Sequence, residues 1–313
     1  MISIHMKLFT EFFNCKYPIA AMAMNKVSDV RLAKAIRSAG ALPSLSIFNY
    51  YTSPDTININ AFRRDLVEYT TAYPDGSILI SVNSERYSTA GFVDLMIEFN
   101  IKAIEVIGGD DTDQNKKTLA LQMNQSAREL GKHGILTFVK SLGPGELDEL
   151  AIDGVILKGA EGAGRGNTAG KSLKDLVIEI KRKVPNALII PAGGIGNSEQ
   201  VKEYMDMGVF AVGIGTMFAA CVESKISMES KLKMVSASSA DLSRLNNGTV
   251  SDYNQSALVF EKVNAPNDFN NTRGLMVGIV NPSSGHIFAG RGIDHITEIL
   301  PASEVIQRLV KDL

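Results

Sequence analysis

The sequence predicts an α/β fold, a (β/α)₈ TIM barrel with a helical excursion after strand eight. Three observations lead there. Short β-branched runs alternate with longer amphipathic stretches, the pattern of βα units around a parallel sheet. Eight such runs fall within about 220 residues, the usual extent of a closed barrel. Several are apolar throughout, as strands covered on both faces must be. An open, Rossmann-like sheet is the structural alternative.

The eight predicted strands cover residues 18–24, 41–46, 77–83, 103–107, 135–141, 154–158, 187–192 and 209–214. Between the first two, Val30, Ala33, Ile36 and Arg37 recur at helical spacing before Gly40 stops the helix. Between strands six and seven, Leu173, Leu176, Val177 and Ile180 form one apolar face, with Ser172 and Asp175 placed as a cap. After strand eight the chain turns rich in Ser, Asn, Lys and Met, with helical spacing and no strong strand. The expected division is therefore a barrel formed by residues 1–218 and 272–313, with residues 219–271 as a helical excursion or small subdomain. A final amphipathic helix over 302–309 should complete the outer ring.

Composition narrows the function classes. The 313 residues are 45% hydrophobic and 21% charged, enough apolar material for a large core. A formal net charge of -2 gives no global attraction to nucleic acid or to an anionic membrane, so any anion must be held locally. The two cysteines, Cys15 and Cys221, form neither a disulfide framework nor a zinc pattern, which makes a reducing, cytoplasmic setting the expectation. The first residues lack a secretory signal, and the most apolar stretch, 209–222, is short of the roughly 20 residues that span a bilayer. HExxH, CxxC, GxSxG and P-loop patterns are absent, as is a leading GxGxxG frame.

In a barrel the chemistry belongs at the C-terminal ends of the strands, and glycine concentrates at three of them. PAGGIGNSEQ after strand seven and VGIGTMF around strand eight read as a phosphate cradle. Ala192, Gly193, Gly194, Gly215 and Thr216 would let backbone N–H groups approach an anion at a helix start. The bland alternative is that these glycines only make tight turns. The third glycine loop, KGAEGAGRGN, follows strand six and either clamps a ligand or forms a lid. Lys158 ends that strand at the mouth, where an ammonium needs a partner or an anion. Glu161 is a salt-bridge partner for it or a polar contact to substrate. Arg165 suits an anionic substrate but stays protonated and is no base. Asn83 ends strand three and offers donor and acceptor to a ring edge. Met22, Ala23 and Met24 after strand one offer a small apolar wall.

These motifs resemble the nitronate monooxygenases, formerly 2-nitropropane dioxygenases. The resemblance runs through YPIAAMAMNKVSDVRLAKAIRSAGALPSL, ISVN, DGVILKGAEGAGRGN, ALIIPAGGIGNSEQVKEYMDMGVFAVGIGTMF and SGHIFAGRGIDHITEILPASEVIQRL, nearly the whole chain. The block around strands seven and eight is its most specific part, and flavin-dependent enoyl-acyl carrier protein reductases share it. The resemblance implies FMN as cofactor. Met22, Ala23 and Met24 would pack near its ring, Asn83 would hydrogen-bond it, Lys158 would lie by its pyrimidine edge, Gly159 would also belong to the cofactor site, and Gly193, Gly194, Gly215 and Thr216 would hold its phosphate. Two departures stand out. The family's Glu-Ala-Gly-Gly-His is here Glu161, Gly162, Ala163, Gly164, Arg165, so the histidine is missing, and Gln-Ala-Pro-Met is here Ala21, Met22, Ala23, Met24.

The implied activity is an FMN-dependent oxidoreductase that oxidises a small anionic substrate, such as an alkyl nitronate, with oxygen; Arg165 and Lys158 would be its catalytic residues. The alternatives are an enoyl reductase using NAD(P)H, a Schiff-base aldolase built on Lys158, and a ligand-binding barrel without catalysis. The expected partner is a small-molecule substrate, with neither nucleic acid nor membrane, and a homodimer is the default assembly.

Overall fold

The structure is a computed structural model. It describes residues 4–53, 56–87, 89–107, 113–141, 151–165, 170–246, 254–259 and 285–313. All eight predicted strands form, in the predicted order: β1 (Ile19–Ala21), β2 (Ser44–Ser46), β3 (Leu79–Asn83), β4 (Ala103–Ile107), β5 (Leu136–Ser141), β6 (Gly154–Lys158), β7 (Leu188–Ala192) and β8 (Val212–Ile214). They pair in parallel in the ring order β1-β8-β7-β6-β5-β4-β3-β2. A bridge between Ala20 and Leu42 joins the two ends, with Leu42 N–H donating to Ile19 C=O at 2.9 Å and Ala21 N–H to Leu42 C=O at 2.8 Å. The sheet thus closes on itself, which excludes the open alternative.

Strand side chains alternate between two environments, as a period of two requires. Ile80, Val82, Ile104 and Val106 point outward under the helices, as do Val155, Leu157, Ile189 and Val212. Leu42, Leu79, Ala103, Phe138, Ile156 and Ile190 point inward and fill the lower barrel. The helix Ile4–Phe12 closes the barrel floor. Its Phe9 meets Phe210 edge-on at 5.1 Å, and Phe210 stacks on Phe138 at 6.2 Å. Opposite this floor lie the C-terminal strand ends.

Local signals hold where they were strongest. Asp29 caps the helix Val30–Ser38 by accepting from Leu32 N–H, and Gly40, at φ +91°, ends it. Ser172 caps Leu173–Lys183 by accepting from Asp175 N–H at 3.1 Å, and Leu173, Leu176, Val177 and Ile180 are its buried face. The helix Ala302–Leu309 buries Ala302, Val305, Ile306 and Leu309.

The segment after β8 differs from expectation. A helix, Met228–Ser236, does form there, but Leu242–Asn246 and Asn254–Val259 are antiparallel strands, so the excursion is mixed rather than helical. His286–Phe288 pairs with the second strand, as does the two-residue strand Gly164–Arg165 from the loop after β6. Weakly patterned segments become strands here through tertiary pairing. Residues 247–253 and 260–284, including most of the proposed boundary near 272, lie outside the described residues.

Candidate active site

Three glycine loops interlock at the C-terminal face, and their missing side chains are what allow it. A Cβ on Gly193 would stand 2.7 Å from Gly162 Cα, and one on Gly194 would stand 2.6 Å from Glu161 Cβ. A Cβ on Gly290 would stand 2.6 Å from Glu161 C=O, the group to which Arg291 N–H donates at 3.0 Å. Gly193 and Gly194 sit at φ +116° and +76°, where side chains are strained. The tight-turn reading of these glycines is therefore realised. Their side-chain positions are taken by the loop after β6.

What faces the ligand is backbone. Among the described residues no protein acceptor takes the N–H of Gly193, Gly194 or Gly215. These groups are half-buried, where an N–H without a partner is costly and an anion would satisfy it. Gly215 has open space beside it, since a Cβ there would meet only Met22 Cβ, at 3.9 Å. Thr216 Oγ1 accepts from Gly290 N–H at 3.2 Å, and its own O–H remains able to donate. The cradle fits a terminal phosphate.

The other predicted residues converge from neighbouring strands. Met22, buried, follows β1 and lies along Gly213, whose Cβ would come within 2.9 Å of its sulfur. Met24 N–H donates to Ser28 Oγ at 2.9 Å, which holds the turn, and Ala23 between them is half-buried. Asn83 ends β3, where Tyr51 O–H donates to its Oδ1 at 3.2 Å and so orients Nδ2 as the donor end. Lys158 shares the inward parity of Ile156, and its stem passes Gly162, where a Cβ would lie 2.9 Å from Cε. Gly159 next to it packs on Leu173. Ala192 registers with Lys158 on one side and Gly213 on the other. The backbone of Arg165 is paired to Gln255; its side chain, and the loop residues 166–169, lie outside the described residues.

Glu161 does not face the mouth. Its Oε2 is buried beneath its own loop, against Gly159, and its charge joins burial, the larger cause, in raising the Tyr204 hydroxyl above its ordinary range. Neither thiol offers a nucleophile, because burial pushes both Cys15 and Cys221 up to about 12. One pair escaped the sequence reading. Glu105, fully buried on β4, carries Lys140 of β5 with Nζ 2.8 Å from Oε1. A charge within each of two largely apolar strands was the available signal. Among the described residues no cluster of His, Cys, Asp and Glu could hold a metal, and no helix is long and apolar enough to cross a membrane.

A closed barrel with unpaired backbone N–H groups in the glycine loops after β7 and β8, and an apolar wall after β1, fits a phosphate-bearing cofactor such as a flavin. Residues 118–312 match the family model described as NMO: Nitronate monooxygenase, and the chain belongs to that family. It is 22% identical to a probable nitronate monooxygenase of Bacillus subtilis (strain 168), over 98% of this chain and 99% of the relative. FabK from Thermotoga maritima shares its fold with a TM-score of 0.77 at 22% identity, covering 97% of this chain and 94% of FabK. Nitroalkane oxidase from Streptomyces ansochromogenes does so with a TM-score of 0.74 at 18% identity, covering 97% of each chain. The protein is an FMN-dependent oxidoreductase, which sets aside the aldolase and the non-catalytic barrel.

Proposed function

We propose that the chain oxidises small, preformed nitronates with molecular oxygen as electron acceptor. The observation that carries this reading is Arg165, which stands where the family pattern has histidine. A neutral nitroalkane must lose a proton before it can be oxidised, and that requires a group unprotonated near neutral pH. A guanidinium is not one. A nitronate is already deprotonated and negatively charged, so positioning and charge complementarity suffice, which Arg165 and Lys158 supply.

When bound, FMN supplies the acceptor for the substrate's electrons. Backbone N–H groups of Gly193, Gly194 and Gly215, with Thr216, would hold its phosphate beside Ala192. Met22, Ala23 and Met24 would give its ring an apolar wall, Asn83 a hydrogen-bonding edge, and Lys158 beside Gly159 a cation that favours the reduced, negatively charged form. Lys140 brings a second ammonium to the same side of the mouth.

Anaerobic mixing of the flavin-loaded protein with propyl nitronate should bleach the flavin, and the neutral nitropropane should do so far more slowly. Arg165→His should raise the rate with the neutral form. Equal rates for both forms in the unsubstituted enzyme would overturn the reading, because another residue would then be acting as base. Bleaching by NAD(P)H but not by nitronate would instead favour the enoyl reductase.

A further inference from the structure

Beneath the mouth, the barrel interior carries a polar row that nothing in the family reading uses. Ser46 on β2, Ser81 on β3 and Glu105 on β4 are successive partners across three adjacent strands. All three share the inward parity of Leu79 and Ala103, and none is more than 1% exposed. Among the described residues, Ser46 Oγ, Ser81 Oγ and Glu105 Oε2 accept and donate no hydrogen bond. The Lys140 ammonium, 2.8 Å from Glu105 Oε1 but off the hydrogen-bonding direction, occupies at most one of the carboxylate's roughly four acceptor sites.

Spacing explains why these groups do not satisfy one another. Neighbouring strands lie about 4.8 Å apart, too far for direct bonds between short side chains in one row, yet suited to a bridge by one water per gap. Such a bridging water needs two to four polar partners, and the row supplies hydroxyl and carboxylate oxygens at each step. Phe138 follows Glu105 as the next partner and ends the row on β5; below it Leu79 and Ala103 are apolar and fully buried, and Phe9, Phe13 and Phe210 close the floor. Above it lie Asn83 and Lys140 at the strand ends. The row thus lies between the apolar floor and the polar strand ends.

We propose that Ser46, Ser81 and Glu105 hold a file of ordered water, and that Glu105 is the buried group with which the active site exchanges protons. When the mouth gains negative charge on electron transfer, uptake of a proton offsets it. Glu105 then takes a proton from the water beside it. One water O–H bond breaks as the carboxyl O–H forms, the electron pair stays on that water's oxygen, and each water in the file regains a proton from the next, out to solvent at the mouth. Lys140 holds the carboxylate in place between turnovers. This assignment needs bound FMN but not a particular substrate, so it stands or falls apart from the nitronate reading.

Two measurements test it on the flavin-loaded protein. If the row is hydrated, Ser46→Ala and Ser81→Ala each lower the melting temperature, because each strips a partner from the file. If it is dry, removing an unsatisfied hydroxyl leaves the melting temperature unchanged or raises it, which overturns the proposal. In infrared difference spectra taken across photoreduction of the bound flavin, a protonated-carboxyl C=O band should appear, shift in D₂O and vanish in Glu105→Gln. Glu105→Asp, which keeps the acid, should retain a displaced band and serves if the glutamine variant does not fold. Absence of the band in the unsubstituted protein, or its persistence unchanged in the Glu105 variants, would also overturn it.

Discussion

At Gly194 two constraints act on one residue, a φ of +76° and the Glu161 side chain 2.6 Å from where a Cβ would sit. Gly194→Val should therefore lose FMN on gel filtration and also lower stability by roughly 1–3 kcal/mol, the usual cost of such strain. Gly215→Ala separates the two effects. Its Cβ would meet nothing nearer than 3.9 Å, so the fold should hold while FMN affinity, measured by fluorescence titration, falls at least about tenfold. If both variants keep stoichiometric cofactor, the phosphate assignment is wrong. A different residue sets a pH dependence. Burial lowers His286 from its ordinary value to about 4, so the folded chain binds fewer protons than the unfolded chain between that value and about 6.5. Its contribution is full above about pH 6.5 and is lost as pH falls toward 4, by up to roughly 1.4 kcal/mol per unit. Urea unfolding across this range should show the slope, and His286→Gln should flatten it. Of these residues the glycines were legible in the sequence, because only their backbone freedom had to be inferred. Glu105 and Lys140 were not, because each acquires meaning only from the strand beside it.

Among the elements, those governed by local chemistry match their sequence patterns closely. Ser172 and Asp29 cap the helices they precede, and the face made by Leu173, Leu176, Val177 and Ile180 is the buried one. Ser172→Ala should cost about 1 kcal/mol in chemical denaturation, since it removes the acceptor for Asp175 N–H. A change within error would show that this helix end is held by packing alone. The segment after β8 fails for the opposite reason. Leu242–Asn246 and Asn254–Val259 have little alternation of their own, and their extended form rests on each other, on His286–Phe288 and on Gly164–Arg165. That last pairing ties the excursion to the loop bearing Arg165.

The whole barrel depends on an N-terminal helix that precedes its first strand. Phe9 and Phe13 seal the floor against Phe210, and Phe9→Ala should cost roughly 3–5 kcal/mol in equilibrium unfolding, as large-to-small changes in buried aromatic clusters do. A loss below about 1 kcal/mol would mean that the floor closes without this helix. The sequence by itself determined the eight-strand barrel, the helices between its strands and the glycine loops. Those features follow from hydrophobic period and backbone freedom, which neighbouring residues set. Only the tertiary structure decided that Gly193 and Gly194 yield their side-chain space to Glu161 and Gly162, that Glu161 turns from the mouth, and that Ser46, Ser81 and Glu105 meet in one row. Each of these is a relation between segments far apart in the chain, and ring closure at Ala20 and Leu42 is what brings such segments to a common interior.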